Sequence, residues 1–223
     1  MADLSIKGLV RGSIDVFKHL AVGGQGNLLM QKFLPDYACL VAEGRVWRAQ
    51  EATATASVVA LPTTASLFTV GNNEPDDGLW YVGLAVYGIA AANAVALDYF
   101  GLAGIISQQK AVTGGIDVSL ARDIASTSVV SMRGGAVRYA GNAILDTGVT
   151  VTDDLWFPLG TGSGSTAVNS ATGIPLWHWV HGLVVLPPKT LFGMVSTATS
   201  TSNTTRKGFI WAEVPKGYLT NLS

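Results

Sequence analysis

The chain has 223 residues, and its 14 basic and 15 acidic side chains give a formal net charge of -1 at pH 7. This balance gives no electrostatic case for nucleic-acid binding, and the single cysteine, Cys39, excludes an internal disulfide. Charged residues make up 13% of the chain, which is about half their usual share in a soluble domain. We therefore expect large, weakly polar surfaces that are buried in a homo-oligomer.

The predicted order begins with an irregular N-terminal arm, residues 1–37. Its glycine-rich segment AVGGQGN is followed by the apolar run LLMQKFLP, which Pro35 ends. A brief helix and an extended strand-like arm both fit this run. Such an arm either hooks a neighbouring subunit or wraps around its own domain. The start of the chain has no apolar stretch of the kind found in secretion signals.

Residues 38–223 predict a single all-β domain, an antiparallel β-sandwich. Short runs rich in Val, Ile, Thr and aromatic residues alternate with turn signals at the spacing of sandwich strands. The run ACLVAEGRVWRA predicts two strands that turn at Glu43-Gly44, with Cys39 as a small buried hydrophobe. The runs TATASVVAL and SLFTV predict the next strands, and GNNEPDDG predicts a turn.

The uncharged stretch LWYVGLAVYGIAAANAVAL, residues 79–97, is long enough for a membrane helix. Its pattern favours strands instead, because Trp80, Val82, Leu84 and Val86 alternate with Tyr81, Gly83, Ala85 and Tyr87. Its acidic flanks also lack the basic residues that orient a membrane span. We expect a pair of strands that breaks near residues 91–93, and no membrane partner.

The second half of the chain continues the strand rhythm. AVTGGIDVSL predicts a turn at Gly114-Gly115, and SLARDIAS predicts a short helix. The segment PLGTGSGSTAVNSATG, residues 158–173, lacks the Lys of a P-loop and the last glycine of a dinucleotide fingerprint, so it predicts a mobile surface loop. The remaining predicted strands are STSVVSM, AVRYAGNAI, TGVTVTDDLWF, PLWHWVHGLVVLPP, TLFGMVSTATS and KGFIWAEVP.

The motif WHWVH holds the strongest metal-ligand candidates, His178 and His181. On a helix the two would share a face, whereas in the strand that we expect they point to opposite sides. No Cys-rich or carboxylate-rich segment completes a metal site around them. We expect Trp177 and Trp179 to form a packed aromatic face, with His181 beside them.

Two acidic pairs, Asp76-Asp77 and Asp153-Asp154, are candidates for carboxylate chemistry. Both pairs fall at predicted turns, where Asp caps the backbone, and adjacent carboxylates point in different directions in an extended chain. No serine stands in a Gly-x-Ser-x-Gly elbow ahead of a helix. We expect no catalytic residue, no cofactor and no metal, and hence a protein that is not an enzyme.

Four aromatic residues are our candidates for subunit or capsid contacts. Trp47 and Trp211 each lie in an alternating run beside charged residues, which predicts positions in the core or at a subunit contact. Phe33 and Tyr37 lie at the end of the N-terminal arm, where apolar anchors would hold a neighbouring subunit.

The order of the segments resembles a family of virion structural proteins of tailed bacteriophages. The resemblance rests on GGQGNLLMQKFLPDYACLVAEGRVWRAQ, EATATASVVALPTTASLFTVGN, ISQQKAV, SVVSMRGG and LPPKTLFGMVSTATSTSNTTRKGFIWAEVP. It covers most of the chain and is weakest in the first twenty residues and in the Gly/Ser segment. Glu43-Gly44 departs from the family, which has a basic or polar residue before this glycine.

The resemblance implies a jelly-roll-like subunit on the capsid surface that cements or decorates the head. A trimer and contacts with the major capsid protein are also implied, and no catalytic residue is carried over. The main alternative is a tail or fibre module that binds host glycans, because sugars stack on exposed aromatic rings and the chain has 6 tryptophans.

Overall fold

The structure, a computed structural model, describes residues 37–51, 53–91, 98–108, 112–117, 138–144, 151–164, 174–199, 201 and 203–220. The chain divides into two compact units, Met1–Cys39 and Leu40–Ser223, and every strand described below belongs to the second unit. Most of the arm with Phe33, the predicted strand STSVVSM and the predicted helix SLARDIAS lie outside the described residues.

Strands make up most of the described chain, with two short helices near its ends. The elements in chain order are α1 Ala38–Ala42, β1 Val46–Gln50, β2 Thr55–Ala56, β3 Ala65–Asn72, β4 Trp80–Ala91, β5 Asp98–Gln108, β6 Val112–Asp117, β7 Arg138–Ile144, β8 Phe157–Gly164, β9 Ile174–Trp179, β10 Val185–Leu186, β11 Thr190–Ala198, β12 Thr204–Val214 and α2 Lys216–Thr220. A 3₁₀ turn, Asp153–Leu155, precedes β8.

These strands form two antiparallel sheets. The first sheet has the order β1-β12-β4-β10, with β2 beside β12 and β9 beside β4. The second sheet has the order β6-β7-β3-β11-β5-β8. The predicted all-β antiparallel sandwich is therefore confirmed, whereas this strand order does not establish the narrower prediction of a jelly roll.

The main hydrophobic core lies between the two sheets, and both of them contribute to it. On the first sheet its aromatic members are Trp47, Tyr81, Phe209 and Trp211, and on the second sheet they are Phe68 and Phe192. Phe192 packs against Phe209, with ring centroids 4.7 Å apart, and so joins the sheets directly. We call the side of each sheet that faces this core its inner face.

A second, smaller core covers part of the outer face of the second sheet. Ile105 of β5 and Leu191 and Val195 of β11 pack there against Val151 and Trp156. The segment that follows β2 closes this cluster, since its residues Val58 and Leu61 pack on it and the indole Nε1–H of Trp156 donates to the Pro62 carbonyl at 3.1 Å. The run TATASVVAL, predicted as a strand, is therefore mostly a covering loop.

Within the stretch of residues 79–97, Trp80–Ala91 form strand β4, as the pattern predicts. Residues 92–97, where the second predicted strand falls, lie outside the described residues, and β5 begins at Asp98. None of the helices in the described part of the chain is long and apolar enough to cross a membrane. The predicted alternation within β4 is wrong, however. Ile210 pairs with Ala85 and Trp211 pairs with Gly83, so Leu84 is a β-bulge.

The bulge at Leu84 reverses which side chains of β4 face the core. Before it, Tyr81 is in the core, and after it Val86 is, although a regular strand would place these two on opposite faces. Tyr87 consequently lies on the outer face. A sequence pattern of period two has no signal for this extra residue.

One predicted strand and one predicted turn are also wrong, although the chain does turn at Glu43-Gly44 as predicted. The first half of ACLVAEGRVWRA is helix α1 rather than a strand, and Gly44, with φ 67°, ends the helix in the left-handed conformation that glycine favours. The amide of Arg45 donates to the Leu40 carbonyl at 2.9 Å and closes the end. Gly114-Gly115 is not a turn but lies inside β6, at a register shift against β7.

The glycine- and serine-rich segment of residues 158–173 is in part a strand, which corrects the predicted loop. Its first half, within β8, pairs with β5 from Asp98 opposite Gly164 to Gly104 opposite Phe157. Glycines and small polar residues hide the strand pattern here, because only Leu159 is a large buried side chain. Residues 165–173 lie outside the described residues.

Candidate functional site

Strand β9 carries two tryptophans on the outer face of the first sheet. It pairs with β4, and its alternate side chains point to opposite faces. Leu176 belongs to the core, and His178 fills the space above Gly160 of the second sheet, so both lie on the inner face. Trp177 and Trp179 therefore point outward, where each is 49% exposed.

Four rings form one continuous group on this face, which we call the aromatic row: Tyr87, Trp177, Trp179 and His181. Tyr87 stacks on Trp177 with centroids 5.6 Å apart and planes 15° apart. Trp177 meets Trp179 edge to face at 5.3 Å and 72°. Trp179 stacks on His181 at 5.6 Å and 15°. The predicted grouping of Trp177, Trp179 and His181 is confirmed, but the indoles are half exposed rather than packed.

Tyr87 is the buried support of the row. Its ring occupies the space where a side chain of Gly208, on the neighbouring strand β12, would lie. Its hydroxyl donates to Oε1 of Gln50 at 3.0 Å, and Arg48 lies beside it. Burial raises the pKa of the Tyr87 phenol, and the Arg48 guanidinium opposes this shift in part. The phenol is therefore neutral at physiological pH, and its ring supports one face of the Trp177 indole.

The β-bulge of β4 positions the other end of the row. The carbonyl of Leu84 accepts hydrogen bonds from the amides of Val180 and His181, at 2.9 and 3.2 Å. His181 has φ 44°, a left-handed conformation that costs a non-glycine residue about 1–3 kcal/mol. This turn directs the imidazole back onto Trp179 instead of continuing the strand.

The aromatic row suits binding. Half-exposed rings whose other faces are already packed offer fixed, flat apolar surfaces, and the row holds no carboxylate. His178 lies on the inner face and His181 on the outer face, the opposite sides that were predicted, although His181 lies in the turn after β9 and not in the strand. Within the described residues no group of three or more His, Cys, Asp or Glu side chains could hold a metal ion.

The predicted contact residues are placed differently from the row. Trp47 is 2% exposed and Trp211 is not exposed at all, so both indoles pack inside the subunit. Tyr37 is partly buried in the turn before α1. Whether any of these three also contacts a second subunit stays a prediction, as it does for Phe33.

Both acidic pairs lie in turns, as predicted. Asp76-Asp77 occupies the turn between β3 and β4, where the Asp76 carboxylate is 2.9 Å from Nζ of Lys189. Both partners of this ion pair are largely exposed, so it adds little stability. Asp153 and Asp154 are the first two residues of the 3₁₀ turn before β8.

A buried polar cluster of Glu51, Thr55 and Lys207 lies where β1, β2 and β12 meet. Nζ of Lys207 is 3.0 Å from Oε2 of Glu51 and donates to Oγ1 of Thr55 at 2.6 Å, and this hydroxyl donates to Oε1 of Glu51 at 3.0 Å. Burial lowers the pKa of Lys207, and the Glu51 carboxylate counters part of the shift. Because its members bond to one another, the cluster is a cross-link of the sheet rather than a reactive site.

Tyr87 is the site residue that the sequence analysis missed. The spacing in WHWVH brings Trp177, Trp179 and His181 to one face, but the bulge at Leu84 decides that Tyr87 joins them. The signal that could have found it is Gly208, since a glycine inside an apolar strand often marks the close approach of another group.

Comparison with known proteins adds no relative: no protein-family model and no curated protein matches the chain. The proposals below therefore rest on the resemblance of the segment order to phage virion proteins and on the surfaces of the described residues.

Proposed function

We propose that the protein is a structural subunit of a tailed-phage virion, a cement or decoration protein on the capsid surface. It binds the major capsid protein across neighbouring capsomers and so stabilises the head. The resemblance of the segment order supports this proposal, and so do the all-β sandwich and the 13% share of charged residues. A sandwich with so little charge suits an assembly in which much of the surface is covered.

One observation carries the proposal: large aliphatic side chains are exposed on the loops that cover the second sheet. Val59 is 65% exposed and Leu155 is 49% exposed. Each lies next to a member of the second core, Val58 and Trp156 respectively. We call Val59 and Leu155 the apolar patch and assign it to the capsid contact, since burying apolar surface yields about 25 cal/mol per Å².

The subunit is also proposed to form a trimer, which the resemblance implies. Two weakly polar contact surfaces, one toward sister subunits and one toward the capsid, would account for the low share of charge. Apolar burial of this kind holds a shell together without a ligand, a metal or a chemical step.

The test is binding of the purified protein to capsids of the cognate phage that lack it. We expect saturable binding, and we expect Val59→Asp and Leu155→Asp to weaken it by at least tenfold, because each would bury an unpaired carboxylate. Asn73→Asp, which adds the same charge at an exposed polar position, is the matched control and should bind normally. Absence of binding to such capsids would overturn the proposal.

A further inference from the structure

The aromatic row lies on the outer face of the first sheet, whereas the apolar patch belongs to the cover of the second sheet. We propose that the aromatic row is a carbohydrate-binding site, and that its ligand is a glycan of pyranose rings that stack on Trp177 and Trp179. This inference goes beyond the proposed function, since cementing a capsid needs no glycan.

The exposed area of the two indoles fits a sugar. A tryptophan offers about 250 Å² of surface at most, so two indoles that are each 49% exposed present about 250 Å² together. This area matches one or two sugar rings, and Ile89, which is 42% exposed, extends the apolar surface on the same face.

The chemistry of the rings also matches a pyranose. One face of such a sugar carries several C–H bonds with partial positive charge, and the face of an indole is electron-rich. The hydroxyl groups at the rim of the sugar need hydrogen-bond partners beside the rings. Arg48, an exposed donor on the same outer face, lies on β1, which β12 and β4 separate from β9.

The row is fixed before any ligand arrives. Tyr87 holds one face of Trp177, and His181 holds one face of Trp179. A binding surface that is already ordered loses little conformational entropy on binding. The left-handed His181 supports the same inference, because strained residues persist where a site requires them.

The experiment is an oligosaccharide array followed by calorimetric titration of the intact protein with the strongest array ligand. We expect Trp177→Ala and Trp179→Ala each to weaken that ligand by at least tenfold, and the corresponding Phe variants to retain part of the affinity. Leu155→Ala, an exposed apolar residue of the other sheet's cover, is the matched control and should bind normally. Thermal unfolding would verify that the exposed-site variants are folded.

His181→Asn separates a positioning role from a structural one. Asparagine tolerates the left-handed conformation better than most residues, so this variant should keep its melting temperature and still bind the glycan several-fold more weakly.

Several outcomes would overturn the inference. One is an array without hits, and another is a ligand whose affinity does not change in the Trp177 and Trp179 variants. A third is loss of capsid binding in these two variants, since it would make the row a protein contact. The capsid test with Val59 and Leu155 has its own outcome, so either proposal can fail while the other stands.

Discussion

The indole of Trp211 shows what a single buried side chain contributes to this sandwich. It stacks between Phe209 and Tyr81, with both centroid distances at 5.7 Å, and it is not exposed to solvent. Its Nε1–H finds no acceptor in the described part of the chain. Packing therefore accounts for its stabilising effect, and a hydrogen bond does not.

We predict that Trp211→Ala lowers the free energy of unfolding by about 3–5 kcal/mol, or dissociates the oligomer. Trp211→Phe should cost much less, because it keeps most of the packing and removes a buried N–H group that has no acceptor. Chemical denaturation measures both variants. The half-exposed Trp177→Ala is the control and should lose clearly less than Trp211→Ala, because only about half of its side chain is buried. Normal melting and assembly of Trp211→Ala would contradict the prediction.

The pair of Glu51 and Lys207 predicts a different pattern, because removing one partner leaves a buried charge. Glu51→Ala should lower the free energy of unfolding by about 3–5 kcal/mol, since it also removes the acceptor of the Lys207 amide. The double variant Glu51→Gln with Lys207→Met should recover most of this loss, because glutamine still accepts from that amide and no charge remains. Additive losses in the cycle of Glu51→Gln, Lys207→Met and their double variant would show that the two residues are not coupled.

The buried phenol of Tyr87 makes stability depend on alkaline pH. Its pKa in the folded protein is raised above the usual 10.0, so the folded state holds its proton more tightly than the unfolded state does. This contribution is fully present below about pH 10 and is lost as the pH rises through the folded pKa.

The difference between the absorbance titrations of the wild type and of Tyr87→Phe should show a phenol that ionises at higher pH than free tyrosine. Above about pH 10 the wild type should also lose stability more steeply than the variant. Equal slopes for the two proteins would contradict the burial of this phenol.

At the scale of elements, the fit between β4 and β12 depends on Gly208. A methyl group at this position would overlap the ring of Tyr87. We predict that Gly208→Ala displaces Tyr87, lowers the melting temperature and weakens the stacking under Trp177. Near-ultraviolet circular dichroism, which reports the packing of aromatic rings, measures the change. In the double variant Gly208→Ala with Tyr87→Ala the overlap is gone, so part of the lost melting temperature should return.

The elements were predictable where one pattern ran without interruption. Strands β3, β4, β9, β11 and β12 follow from β-branched and aromatic residues alone, and the outward indoles follow from the spacing in WHWVH. Helix α1 was missed because Glu43-Gly44 is typical of a hairpin turn as well as of a helix end. The face of Tyr87 was missed because one extra residue in β4 reverses the alternation, and such a bulge depends on the partner strand.

At the scale of the whole molecule, the low charge predicts an assembly that salt does not disperse. Multi-angle light scattering should give the mass of an oligomer, a trimer on our proposal, at micromolar concentration. The mass should persist at about 1 M salt, because apolar contacts are not screened as ion pairs are. A monodisperse monomer would count against both the oligomer and the structural role.

The fold class could be predicted from the sequence, but the order of the strands could not. Turn spacing and strand composition indicate a sandwich. The pairing of β1 with β12 joins Trp47 to Trp211 across most of the chain, and no local pattern specifies such a partner. The apolar patch could not be predicted either, because Val59 lies in the loop that covers the second sheet, and the sequence pattern TATASVVAL is typical of a strand.

The position of β12 has a consequence for how the protein is made. This strand lies between β1 and β4, although it is the last strand described, so β1 and β4 have no partner between them until residues 204–214 have left the ribosome. Contacts of such long sequence separation form slowly. Until β12 pairs, the nascent chain exposes the apolar side chains of β1 and β4. Early termination before Thr204 would therefore yield no smaller sandwich, only an aggregation-prone fragment.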